Sequence, residues 1–171
     1  MVEKSPLKEK FDIDLTYITS RGKWYLQSWK GDESKSGGIA TNIGIHFFDM
    51  LHFVFGDLQE NKVALRETTK ASGYLEYQNA RVRWFLSTEY FDIPKKIRET
   101  GVRTYRSLLI NGSEIEFSNN FTDLHRISYE EILNGRGFGL IENRVAIETV
   151  VAIRAQAIKK LSDSHPLLRG K

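Results

Sequence analysis

The sequence predicts an α+β domain, an open and predominantly antiparallel sheet with helices packed on one face. Three patterns carry this. Phe11 to Ile18 alternates apolar and polar side chains, the period of a half-buried strand. Residues 62–117 hold a succession of Val-, Tyr-, Phe- and Thr-rich segments broken by turn residues. Apolar spacings of three and four mark a helix before that region and another after it. Strands in a run with helices gathered at either end describe an α+β layer rather than an alternating α/β fold.

In chain order, residues 1–10 are charged, carry Pro6 and read as a linker; residues 11–171 form the domain. After the first strand, Thr19 to Gly38 has too little periodicity for either element and reads as a long, functional-looking loop with two Trp. Ile39, Ile43, Phe47, Met50, Leu51 and Val54 predict a helix over Ile39–Phe55, with Gly56 as its stop. Strands are predicted at Lys62–Lys70, Gly73–Gln78, Ala80–Ile93, Tyr105–Ile110 and Glu114–Phe117, with Asn111-Gly112 as a hairpin turn. Ser128–Leu133 reads as a short helix and Glu142–Leu161 as a long one, ended by His165-Pro166. Along Val82 to Glu89 two faces alternate: one is expected to cover helices, the other to pair subunits.

Composition narrows the function. With 171 residues, 40% of them hydrophobic and 27% charged, the chain is expected to bury a single core. The absence of Cys excludes thiolate catalysis, disulfides and Cys-based zinc sites. No apolar run is long enough for a membrane span or a signal peptide, so a soluble cytoplasmic protein is expected. The net charge of +3 is interleaved, and the basic group Lys95, Lys96, Arg98, Arg103 and Arg106 reads as solvated, so neither nucleic acid nor membrane is an expected partner.

The chemistry concentrates in Lys30 to Asp49. Gly37-Gly38 opens a helix whose free N–H groups, with Lys30 and Lys35, suit an anion; equally, the glycines turn the chain and the lysines face water. Asn42 and His46 lie four residues apart with Asp49 three further on, near one helical stripe. His46 can take a hydroxyl proton, Asn42 can orient by hydrogen bonding, and Asp49 can hold the imidazole tautomer. The same spacing suits a boundary histidine and a late cap. Six residues turn a helix by about 600°, which places His52 about 120° from His46 and disfavours a metal site with Asp49. His125 and His165 have no partner pattern and read as surface residues. No Ser-nucleophile, G-x-G-x-x-G or Walker motif is present.

The run G-G-I-A-T-N-I-G-I-H-F-F-D, Gly37 to Asp49, resembles the start of the main C-terminal-domain helix in the glucose-fructose oxidoreductase and inositol dehydrogenase family. Within that family, T-Y-I-T-S-R-G-K-W-Y (Thr16 to Tyr25) and S-W-K-G-D-E-S-K-S (Ser28 to Ser36) resemble one branch. So do T-Y-R-S (Thr104 to Ser107) and H-P-L (His165 to Leu167). That branch oxidises UDP-N-acetyl-glucosaminuronate at its 3-hydroxyl in lipopolysaccharide and O-antigen biosynthesis.

The resemblance implies a substrate-binding and oligomerisation domain of a two-domain oxidoreductase that uses NAD or NADP. His46 matches the family's active-site histidine, and Asn42 falls where many relatives have Asp. Arg21, Lys30, Lys35 and Ser36 are implied on the substrate side, for a uronate carboxylate and diphosphate. Tyr25, also substrate-binding, and Trp24 are implied as packing for the sugar or uracil. An N-terminal dinucleotide-binding (Rossmann) domain is the expected partner, together with further copies of the chain in a dimer or tetramer assembled through the sheet. Glu3-Lys4-Ser5-Pro6 only echoes that domain's E-K-P motif. The chain is therefore expected to be a fragment, inactive alone. The alternative is a stand-alone sugar-nucleotide-binding or assembly module without catalysis.

Overall fold

The computed structural model describes residues 9–115, 123–137 and 139–169. Six strands form one sheet: β1 (Phe11–Thr19), β2 (Leu58–Arg66), β3 (Lys70–Tyr77), β4 (Ala80–Ser87), β5 (Thr104–Ile110) and β6 (Ser113–Ile115). Their order is β2-β3-β4-β1-β5-β6, so β1 lies between β4 and β5, parallel to the first and antiparallel to the second. All other pairs are antiparallel. The α+β class is the expected one; the central, partly parallel placement of β1 rests on long-range pairing that local periodicity does not encode.

The helices are α1 (Lys23–Gln27), α2 (Glu33–Ser36), α3 (Ile45–Phe55), α4 (Lys95–Arg98), α5 (Leu124–Leu133), α6 (Leu140–Ala155) and α7 (Pro166–Arg169). A π-helical turn at Ala40–Gly44 runs straight into α3, giving the helix expected over Ile39–Phe55. Its apolar stripe, including Ile43, Phe48 and Leu51, meets Leu15, Trp84 and Leu86 of the sheet. The Phe48 and Trp84 rings meet edge to face at 5.5 Å. Two glycines admit this closeness. A Cβ on Gly44 would stand 2.7 Å from Leu86 Cδ1, and one on Gly73 would stand 2.3 Å from the Lys62 carbonyl oxygen. At the β5–β6 hairpin Asn111 and Gly112 both have positive φ, 50° and 80°, as the predicted turn requires.

Several boundaries differ from expectation. The segment 19–38, expected as loop, holds α1, a 3-10 turn at Trp29–Gly31 and α2, too short to show a period. The strand expected to reach Ile93 ends at Ser87, where a 3-10 turn at Tyr90–Asp92 begins and Ser87 donates to Asp92. β6 begins at Ser113, and positions 116 and 117 of its predicted span lie outside the described residues. The last long helix ends at Ala155, six residues early. Gln156 turns to extended backbone and its amide donates to the Asn61 carbonyl, while Arg66 caps the helix through the carbonyls of Ile153, Arg154 and Gln156. Ile158, read from sequence as helical, instead bridges Val63 in parallel, and the Lys159 N–H donates to the Val63 carbonyl.

The other face of the sheet is closed in part by the chain's own tail. Ile18, Phe85 and Ile93 form a second cluster, joined by Leu167. His165, expected at the surface, is 2% exposed within it. Its ring stacks on Phe85 at 5.7 Å, and its Nε2 lies 3.1 Å from Thr16 Oγ1. The apolar residues Ile18 and Phe85, out of phase with the helix-facing side chains, are what require this cover. Beside them Arg83 pairs with Asp14, its cross-strand neighbour, and with Asp163 of the tail.

Candidate substrate cleft

Where β1, β5 and the long helix meet α5, a cleft of about 580 Å³ opens, in the range that holds a small molecule. Its helix wall carries Asn42 and His46. Asn42 sits in the π turn, whose wider winding is a recurrent feature of functional sites. The Asn42 amide donates to the Lys30 carbonyl at 3.4 Å, tying the loop to the helix while its own oxygen stays available. His46 is exposed to the cleft, with no hydrogen-bond partner among the described residues. Asp49 is exposed and makes no bond to His46, so the expected tautomer-holding contact is not formed.

The sheet wall carries Tyr17 and Arg106, opposite one another across β1 and β5. Tyr17 packs against Phe47 at 5.0 Å, and the Arg106 guanidinium lies 5.3 Å from the Tyr17 ring centroid. Arg21 also lines the cleft; its backbone N–H donates to the Thr88 carbonyl, anchoring the turn after β1. Leu124 and His125 of α5 line it as well.

Of the residues singled out from sequence, Arg21, Asn42 and His46 converge here, whereas Tyr25, Lys30, Lys35 and Ser36 do not line this cleft. Tyr25 is 3% exposed with its hydroxyl unpartnered among the described residues; burial raises its pKa, opposed by the Arg21 charge. Ser36 is buried and its Oγ accepts the Gly38 N–H, so it caps the helix start. Lys35 is exposed and pairs with Asp32 at 3.3 Å; the Ser34 hydrogen bond, aided by Lys35, holds the Asp32 carboxyl below its usual range. Lys30 reaches over the exposed Trp29 ring at 5.8 Å. Lys30 and the Gly37-Gly38 entry border a separate cavity of about 40 Å³, which also holds the Glu33 and Arg66 side chains. That volume admits about a water, and Glu33 lines it beside the helix entry where an anion was expected.

Sequence reasoning missed Tyr17, Arg106, Leu124 and His125. The signal for the first two is strand register, which places β5 beside β1 and is visible only in three dimensions. Among the described residues no group of His, Asp and Glu is arranged to hold a metal, and no helix is long and apolar enough to cross a membrane.

Residues 7–97 match the family described as "Oxidoreductase family, C-terminal alpha/beta domain", and the chain belongs to that family. It is similar to the WlbA (WbpB) dehydrogenase of Thermus thermophilus solved with NAD and alpha-ketoglutarate. The two are 49% identical, with 94% of this chain and 52% of that one covered and a TM-score of 0.88. The same Thermus enzyme solved with NAD and UDP-GlcNAcA matches at 48% identity, the same coverage and a TM-score of 0.87. WlbA of Bordetella pertussis, solved with NADH and UDP-GlcNAcA, shares the fold at 15% identity, 86% and 52% coverage and a TM-score of 0.57. The chain thus spans about half the length of the solved structures it matches.

Proposed function

We propose that this chain is the substrate-binding domain of an NAD-dependent dehydrogenase that oxidises the 3-hydroxyl of UDP-N-acetyl-glucosaminuronate in lipopolysaccharide and O-antigen biosynthesis. The observation that carries the reading is the convergence of His46, Asn42 and Arg21 on one cleft, in a chain 48% identical to a dehydrogenase solved with NAD and UDP-GlcNAcA. His46 accepts the hydroxyl proton and Asn42 fixes the hydroxyl by a hydrogen bond, without exchanging a proton itself. Arg21 draws the anionic substrate into the cleft. Tyr25, Lys30, Lys35 and Ser36 serve through the loop that Asn42 holds, shaping the substrate side from behind.

The described residues do not fit the dinucleotide: none forms a glycine-rich turn between a strand and a helix, since Gly37-Gly38 joins two helices. NAD therefore belongs to a complementary domain. The polar remainder of the second sheet face, around Lys10, Tyr74, Glu76 and Arg81, serves pairing with further copies of the chain, and the enzyme works in the cytoplasm.

The test joins this chain to the remaining half of the Thermus relative and follows NADH formation with UDP-GlcNAcA. The chimera is expected to turn over, and His46→Ala to lower the rate roughly 100- to 10,000-fold. Equal turnover with and without His46 refutes its role. A chimera that binds both ligands yet forms no NADH refutes the dehydrogenase reading.

A further inference from the structure

Four arginines are half-buried in the described structure: Arg66, Arg83, Arg98 and Arg106. Arg66 donates to three backbone carbonyls, Arg83 to Asp14 and Asp163, and Arg98 to the Phe91 carbonyl. Arg106 alone has no oxygen acceptor among the described residues, and it faces the cleft. A guanidinium withdrawn from water without an acceptor forfeits hydration with nothing in return, so it is built for an acceptor supplied from outside. Contact with the Tyr17 ring at 5.3 Å fixes the group in place without giving any of its five N–H donors an oxygen. Tyr17 in turn packs on Phe47, the residue after His46. The guanidinium on the sheet wall and His46 on the helix wall therefore line one and the same cleft.

We infer that Arg106 is the specificity residue of the cleft, binding the carboxylate of an acidic sugar and so separating a uronate from the corresponding neutral sugar. This rests on the dehydrogenase reading above and assigns to that same site the residue that recognises the acidic group. The planar guanidinium meets a carboxylate with two parallel hydrogen bonds, which a primary alcohol on a neutral sugar does not reproduce. A diphosphate is the other oxyanion on such a substrate. It leaves the ring from the anomeric carbon, whereas the carboxylate is borne by the ring beside His46.

The test is calorimetric titration of the chain with UDP-GlcNAcA, UDP-GlcNAc and UDP, for the unmodified protein, Arg106→Gln and Arg106→Lys, each checked for folding by circular dichroism. Unmodified protein is expected to prefer UDP-GlcNAcA. Arg106→Gln is expected to weaken UDP-GlcNAcA roughly 10- to 100-fold, the worth of a charged hydrogen-bonded pair, and to leave the other two ligands unchanged. Arg106→Lys keeps the charge but not the fork and falls between. No preference in the unmodified protein, or a preference that survives Arg106→Gln, overturns the inference. A parallel loss of UDP binding assigns Arg106 to the diphosphate and overturns it too. Failure of the unmodified chain to bind any of the three refutes the underlying functional reading instead.

Discussion

Lowering the pH from 7 to 4 should loosen the C-terminal tail through His165. The Leu167 N–H donates to Nδ1, so Nδ1 carries no proton, and Nε2–H donates to Thr16 Oγ1. A protonated ring loses the Nδ1 acceptor. Burial, helped by the nearby Arg83 and Arg169 charges, lowers the His165 pKa from 6.5 to about 4 in the folded protein. The facing carboxylate, Asp163, is already paired with both arginines, and Asp14 is paired with Arg83. Below pH 6.5 the unfolded chain takes up a proton that the folded one refuses until about 4. The stability is therefore complete above 6.5, falls through that window and levels off below it. At about 1.4 kcal/mol per pH unit the window is worth about 3 kcal/mol. Urea unfolding followed by Trp fluorescence at pH 7 and pH 4 measures it. Carboxylates also lose stabilising charge near pH 4, so His165→Gln, which cannot titrate, supplies the baseline. The unmodified protein should lose about 3 kcal/mol more than the variant over that interval. Equal losses in the two proteins would refute the assignment of His165 as a buried neutral residue.

Gly73→Ala places a methyl group against the Lys62 carbonyl oxygen and the Trp84 ring, so about 3 kcal/mol of stability should be lost in urea unfolding. Arg83→Leu leaves Asp14 unpaired between β1 and β4, and should cost about 2 kcal/mol at pH 7; adding Asp14→Leu should recover part of that loss.

Much of the layout was legible because it is local. The helix to Phe55 shows in its own spacing, and the β5–β6 hairpin in two residues, Asn111 and Gly112, that tolerate positive φ. His46 and Asn42 share a cleft because the helix that carries them is continuous through the π turn. What escaped depends on distant pairing. Arg106 looked like one of a run of surface cations until β5 was set beside β1 and its side chain rose over Tyr17. His165 looked solitary because its partners, Thr16 and Phe85, stand on strands far away in sequence. Ile158 kept a helical spacing even though Arg66 and Gln156 end the helix and send it along β2. Lys35 and Ser36 matched a motif, but their side chains are engaged with Asp32 and Gly38.

In the proposed function the cleft lined by Arg21, His46 and Arg106 receives an acidic sugar nucleotide. Titration of the unmodified chain with UDP-GlcNAcA, set beside UDP alone, tests it most directly. Saturable binding at one site, tighter than that of UDP and removed together with the cleft's arginines, is the predicted result. Equal affinity for UDP and UDP-GlcNAcA, or binding that is indifferent to both arginines, would contradict it.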